Sequence, residues 1–323
     1  MKPFTLNHLY RYFLILVLTI SKPVYAQIEI TDSHGKYSFD SPPKNVVVLN
    51  WALAEQILEL GVTPVGMADI TGFHKIANQP VVPTETVDVG KRLNPNLTKI
   101  RDLNPEIILI GYSQRSLIRP LSNIATVIYF KNFGKRYNNY EKSRERFMEL
   151  AKLFNKSKFA ESKLQSMDKK LAVLRDSLSN EFINETLPNV QLITQSNHND
   201  TTTWLFGNNS MPYYAANELG LTVLSNIEND KFGVSQMTTS ELNELIENTH
   251  KPLTSDVNET QSNIDCRLIF SNYTSGNIAP EINKNEPGTP CTADLSYQNA
   301  FGGVFSVLYL AEAIHHALIK SSQ

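Results

Sequence analysis

The chain has 323 residues, 41% hydrophobic and 19% charged, with a formal charge of −2. That mildly acidic balance, without a basic stripe, excludes nucleic acid as the natural partner, because nothing offsets phosphate repulsion. The two cysteines have no His or Cys at short spacing, which excludes a cysteine-based metal site.

Residues 1–26 read as an export signal. Lys2 and Arg11 form a basic start, Phe13 to Ile20 an apolar run, and Val24-Tyr25-Ala26 a small-residue cleavage site before Gln27. The apolar run is too short to span a bilayer. Its removal takes Lys2, Arg11 and Lys22 and no acid, moving the formal charge from −2 to −5. The expected mature protein is exported and monomeric, and long enough for two domains with ordinary cores.

Val46-Val47-Val48-Leu49 reads as a strand buried on both faces, as in a parallel sheet. A helix over Ala52–Leu60 ends at Gly61, and Val62–Met67 is a second strand. Asp69 to Val89 reads as irregular, with a turn at Gly72-Phe73-His74. Asn94-Pro95-Asn96 caps a helix over Leu97–Leu103 that stops before Pro105, and Ile107–Ile110 is the next strand. A helix over Leu117–Ile124 and a strand over Thr126–Tyr129 complete a strand-helix alternation that predicts an open parallel sheet.

Lys135 to Leu187 contains neither glycine nor proline. Glu141–Phe154 is a helix with Asn155 as its break. Leu164, Met167, Leu171, Leu174 and Leu178 then recur at spacings of three and four, the apolar seam of a long helix over Ser157–Ser179. This predicts an α/β protein of two lobes with mostly parallel sheets, joined by a single long rigid helix. The leader is 1–26, the first lobe 27–138, the connecting helices 139–185 and the second lobe 186–323.

In the second lobe Val190–Thr194, an extended piece ending at Trp204–Gly207, Leu221–Leu224 and Arg267–Ser271 read as strands. Ser210–Leu219, Thr239–Glu247 and Val304–Ile319 read as helices. Residues 248–265 and 272–295 are polar with little periodicity. In an exported protein Cys266 and Cys291 are expected to form one disulfide closing a polar loop.

Ligands of open parallel sheets sit beyond the carboxyl ends of the strands. Those positions hold Trp51, Phe73, Lys91-Arg92 and Tyr112 to Arg115 in the first half. In the second half they hold Trp204, Phe206, Phe232 and Tyr297 to Phe301. The concentration of aromatics there suggests a cleft between the lobes.

Four segments in register carry a resemblance: Val46 to Trp51, Leu60 to Gly66, Asp88 to Leu97 and Leu103 to Leu109. With Trp204 to Ser210 and Leu219-Gly220-Leu221, the chain resembles the periplasmic iron-siderophore binding proteins of ABC importers, of the ferric-hydroxamate type. The resemblance implies two α/β lobes on one rigid helix and a ferric siderophore, of hydroxamate or citrate type, as transported ligand. It also implies delivery to an inner-membrane ABC permease, with no intrinsic cofactor. By position, Arg92 and Tyr112 match the residues that bond the oxygens around the ferric ion. A guanidinium offers paired donors to such oxygens and a phenol one directed donor. Trp51, Phe232 and Phe301 would cover the apolar scaffold, with Phe73, Trp204 and Tyr297 at the same edges. Arg115 pointing into the cleft would suit an anionic ligand; on the exposed side of its helix it would be a solvated charge. No protein ligand to iron is expected, because the siderophore fills the octahedral shell. The family's first-lobe docking glutamate is Thr98 here, so docking on the permease falls to Glu241 and Glu106.

Rival readings are weaker. No Gly-x-Ser-x-Gly elbow or phosphate-cradling glycine loop supports an enzyme. A zinc or manganese receptor would need about three converging histidines, and only His74 and His198 lie at edges. Cobalamin or haem would also fit aromatic edges and is the alternative ligand class.

Overall fold

The computed structural model describes residues 27–77, 79–136, 138–182, 186–195, 202–224, 230–238, 240–241, 244, 266–271, 291–296 and 302–322. The expected leader, His198, Tyr297 and Phe301 lie outside the described residues.

A short antiparallel hairpin, β1 (Ile28–Thr31) and β2 (Lys36–Phe39), precedes the first lobe. β3 (Val46–Val48) is buried at every residue, as its unbroken β-branched run requires of a strand covered on both faces. The Asn50 side chain accepts from the Leu53 backbone N–H at 3.3 Å and starts α1 (Trp51–Glu59). Gly61, at φ +66°, ends it where residues with a Cβ would be strained. β4 (Gly66–Met67) follows.

The stretch read as irregular contains a helix, α2 (Ile70–Ile76), so Phe73 is helical and not at a turn. Gly72 misleads because it reads as a turn residue. Its role is steric: a Cβ there would meet the Asp69 carboxylate at 2.7–2.9 Å.

β5 (Val87–Asp88) leads to a two-residue hairpin between β6 (Gly90–Lys91) and β7 (Asn94–Pro95). α3 (Leu97–Asp102), capped by Asn96, precedes β8 (Ile107–Gly111). A 3₁₀ turn (Tyr112–Leu117), α4 (Ile118–Ser122) and β9 (Thr126–Phe130) complete the lobe. The sheet order is β5-β4-β3-β8-β9, every pair parallel.

α5 (Asn139–Leu153) and the 25-residue α6 (Ser157–Glu181) are separated by Asn155 at φ +54°. Leu164, Met167, Leu171 and Leu178 are buried along α6, and Leu174 is half-buried against the same core.

The second lobe holds β10 (Asn189–Gln195), β11 (Thr202–Phe206), α7 (Met211–Glu218), β12 (Thr222–Val223), β13 (Val234–Thr238), β14 (Cys266–Ser271), β15 (Cys291–Ser296) and α8 (Ser306–Ser322). Its sheet is mostly parallel, as expected, with an antiparallel side: three of its five strand pairs among the described residues, β10–β12, β10–β14 and β14–β15, are parallel. β10, β14 and β15 are parallel, but β11 and β13 run antiparallel on the other side of β10. Cys266 and Cys291, expected around a polar loop, stand opposite each other in the β14–β15 register.

The lobes are tied by more than the strut. Glu55 of α1 accepts hydrogen bonds from the backbone N–H groups of Phe305 (2.9 Å) and Ser306 (3.1 Å) and from Ser306 Oγ (2.6 Å). It thus caps α8 from the opposite lobe, meeting donors that a helix start leaves unpaired. Gly303 permits the approach, since a Cβ there would run into the Glu55 carboxylate. Next to it Glu59 pairs with Lys163 of α6 and accepts from the Tyr309 hydroxyl of α8. Burial pushes the Glu55 carboxyl up to about 8; its bonds to Ser306 oppose the shift and the Glu59 charge adds to it.

Candidate functional site

Arg92 and Leu93 form the turn between β6 and β7, a position fixed by its surroundings. Asp88 accepts from Gly90 N at 2.8 Å, Asn96 N donates to the Val89 carbonyl at 2.7 Å, and Asp69 N donates to the Gly90 carbonyl at 2.8 Å. The Arg92 guanidinium lies over the Trp51 ring, Cζ 3.7 Å from the centroid. Burial lowers its pKa from the ordinary value and the Asp69 charge opposes the shift. It stays a cation, as arginine does in any such site. Asp69 itself pairs with Lys91 at 2.9 Å. Arg92 is therefore half-buried and takes part in none of the ion pairs among the described residues.

Trp51 and Phe73 do not stand at the cleft edge as expected. Trp51 is 3% and Phe73 1% exposed, ring centroids 6.0 Å apart and edge-on, and the indole N–H donates to the Ala68 carbonyl at 3.0 Å. Trp51 is the floor beneath Arg92, and Phe73 packs edge-on against it. The exposed apolar side chain here is Leu93, 65% exposed beside Arg92. Sequence reading passed over it because a lone leucine in a turn carries no pattern.

Tyr112 follows β8 directly. It lies beside the end of β3, where the sheet order reverses and open α/β sheets place their ligands. Gln114 Oε1 accepts from Gly111 N at 3.2 Å and from Asn50 Nδ2 at 3.4 Å, and Asn132 Nδ2 donates to Asn50 Oδ1 at 3.1 Å. This polar knot links the ends of β3, β8 and β9. A Cβ on Gly111 would crowd Asn132 Oδ1 at 2.7 Å, so only glycine lets the three chain ends close up there.

Arg115 places its guanidinium 4.3 Å from the Tyr112 ring centroid. From the second lobe, Lys231 Nζ lies 3.8 Å from the same centroid and 5.0 Å from that of Phe232. Phe232 in turn packs edge-on against Phe133 of the first lobe at 5.0 Å. Arg92–Trp51 and Tyr112–Arg115–Lys231–Phe232 are thus two cation-aromatic clusters at the carboxyl end of the first sheet, the second bridging to the other lobe. Lys231 was not foreseen, since a lysine between Asp230 and Phe232 has no signature along the chain.

Trp204 is 38% exposed on β11, in register with Thr194 and Gln236, and makes no ring or cation contact to either cluster among the described residues. Glu106 accepts from the backbone N–H of Lys44 (3.2 Å) and Asn45 (3.4 Å). Glu241 accepts from Thr238 N at 2.6 Å and from its hydroxyl at 2.9 Å, which lowers the carboxyl's pKa. Both remain exposed, one on each lobe.

A separate cavity of about 600 Å³ lies between the β1–β2 turn, the end of β9 and α5, lined by Asp32, Lys131, Lys142, Arg146 and Glu149 among others. Its carboxylates are engaged locally: Asp32 accepts from Tyr129 N, His34 N and Gly35 N, and Glu149 accepts from Thr31 N. No group of three or more metal-ligating side chains occurs among the described residues.

Two α/β lobes on a helical strut, with a site at the switch point of the first sheet, define the class: a lobed binding protein. Residues 46–240 match the model of the periplasmic binding protein family, and the chain belongs to that family. It is similar to the Fe(3+)-citrate-binding protein YfmC of Bacillus subtilis, 31% identical over 46% of this chain and 47% of that one. It is also similar to the iron(3+)-hydroxamate-binding protein FhuD of Escherichia coli, 30% identical over 38% and 41%. The chain spans about half the length of the curated relatives it matches. Among solved structures, the Fe3+–Desferal-bound siderophore binding protein FhuD of Vibrio cholerae superposes at a TM-score of 0.72. It is 31% identical, covering 87% of this chain and 99% of that one.

Proposed function

We propose that this protein is an exported, non-enzymatic receptor that captures a ferric siderophore of hydroxamate or citrate type between its lobes. It would deliver the chelate to an inner-membrane ABC permease for iron uptake. The observation that carries the reading is Arg92. A half-buried guanidinium held over an aromatic floor, which feels the Asp69 charge but makes no ion-pair contact among the described residues, is a donor pair awaiting anionic oxygens. Tyr112 supplies a second donor at the switch point, and Leu93 and Phe232 offer apolar surface to the chelator's scaffold. Likeness to proteins named for ferric citrate, ferric hydroxamate and Desferal supports the same ligand class. Iron is cargo here, held by its chelator.

The same reading assigns Glu106 and Glu241 to the permease-facing surface, and Cys266–Cys291 to a disulfide between neighbouring strands. Partners in a parallel ladder lie about 4.8 Å apart, within the Cα range a disulfide spans.

The test is intrinsic fluorescence of the protein titrated with ferric hydroxamate, ferric citrate and ferric catecholate chelates, haem, cobalamin and Zn²⁺. Trp51, stacked under Arg92, should report occupation with a submicromolar transition for a ferric siderophore. Silence toward every ferric chelate, with a response to haem, cobalamin or Zn²⁺, would overturn the ligand assignment.

A further inference from the structure

We infer that Lys231 is a specificity-determining residue contributed by the second lobe. With Arg115 it sets the site for ferric chelates of net negative charge. The inference rests on the function proposed above and narrows its ligand class.

The lysine's position is built. Its carbonyl accepts from Asn139 Nδ2 at 3.0 Å, and Asn139 is fully buried at the start of α5. The same amide nitrogen donates to the Asn209 carbonyl at 2.9 Å, and Asn209 Nδ2 donates to the Gly134 carbonyl at 2.8 Å. Asp230 Oδ1 accepts from Phe232 N (2.7 Å) and Val234 N (3.1 Å), so the neighbouring acid is occupied in closing the turn. Gly233, at φ +76°, donates to the Asp230 carbonyl at 3.1 Å, and its own carbonyl accepts from Gly207 N at 2.9 Å. The backbone is therefore pinned to both lobes while the ammonium rests on the Tyr112 ring.

That resting place is a weak one. A cation on a partly exposed aromatic face is held only loosely, because water still solvates much of its charge there. Two cations also share the ring. Points 3.8 and 4.3 Å from one centroid lie at most about 8 Å apart, no further than about one Debye length at physiological salt, so the two charges still act on each other. None of the ion pairs among the described residues involves Arg115 or Lys231. An anion entering between the lobes relieves this repulsion and gains both charges, and the flexible lysine stem lets the ammonium leave the ring for it.

Chelate charge is the discriminating property. Three hydroxamates just balance the ferric charge, and the Desferal complex carries an extra ammonium. Citrate-type α-hydroxycarboxylate chelators bring more negative charge than ferric iron neutralises. The site as built favours the second kind.

The experiment is calorimetric titration of the wild type, Lys231→Ala, Lys231→Met and Arg115→Ala with ferric citrate and with ferric Desferal, at low and high salt. Lys231→Met keeps the aliphatic stem against Phe232 and removes only the charge. The expected result is that Lys231→Ala and Lys231→Met each weaken ferric citrate at least tenfold more than ferric Desferal. Wild-type affinity for citrate should also fall with salt more steeply than affinity for Desferal. Equal loss for both chelates, or no loss for either, overturns the inference, as does a wild type that prefers Desferal. A wild type that binds no ferric chelate at all overturns the proposed function itself, and the inference with it.

Discussion

Replacing Arg92 by alanine is expected to weaken ferric-siderophore binding by well over tenfold while leaving the melting temperature nearly unchanged. Charge-assisted, paired hydrogen bonds to ligand oxygens contribute about 1.5–3 kcal/mol each, and 1.4 kcal/mol is tenfold in affinity. The guanidinium's role within the fold is smaller. Trp51 is held independently by its bond to the Ala68 carbonyl and by α1, so losing Arg92 removes one cation-aromatic contact of roughly 1 kcal/mol. Arg92→Lys should rescue little, because an ammonium cannot present the planar fork. Calorimetric titration beside thermal melts of the same samples checks this. A melting-temperature loss as large as the affinity loss would make Arg92 a structural residue.

The second large effect concerns the inter-lobe cap. Glu55 titrates near 8 when folded against 4.5 when free, so folding takes up a proton. Its contribution is complete below about pH 4.5, where the carboxyl is protonated in both states. It is lost progressively as pH rises through about 8. The groups facing it are Glu59, whose charge strengthens the shift, and Ser306, whose bonds oppose it. The wild type should therefore lose stability between pH 5 and 8.5, by a few kcal/mol at most. Glu55→Gln keeps an acceptor for Phe305 N and Ser306 N without a charge, and should flatten that dependence. Glu55→Ala orphans the buried donors at the start of α8 and should destabilise at every pH, by about 1–3 kcal/mol for each group left unsatisfied. Melting curves of the three proteins across pH decide it. A wild type and Glu55→Gln that fall in parallel would place the titrating group elsewhere.

Much of the frame was legible in the chain because it rests on periodicity. The seam Leu164, Met167, Leu171 and Leu178 gave α6 almost to the residue, and the β-branched run at Val46 gave a central parallel strand. Arg92 and Tyr112 were found by resemblance in order along the chain, and the structure places them at the carboxyl end of the first sheet. What escaped depends on contacts distant in sequence. Glu55 meets Ser306 across 251 positions, and Lys231 meets Tyr112 from the other lobe. A hint existed for Glu55, since a carboxylate amid Trp51-Ala52-Leu53-Ala54 and Ile57 in a buried helix needs a partner. Phe73 was misplaced because Gly72 reads as a turn, when its lack of a Cβ serves helix packing under Asp69. The extended piece ending at Trp204–Gly207 is β11, where Thr203 and Leu205 are buried around an exposed Trp204, but β13 and its antiparallel pairing with β11 escaped the sequence reading.

The most direct measurement is a crystal structure of the protein with the tightest-binding ferric chelate of the panel, with the metal located by anomalous scattering at the iron edge. One iron peak is expected in the cleft, flanked by Arg92 and Tyr112 of the first lobe and by Lys231 and Phe232 of the second. An iron peak in the cavity beside Lys131, Lys142 and Arg146, or bound chelate away from Arg92, would contradict the assignment of this cleft as the receptor site.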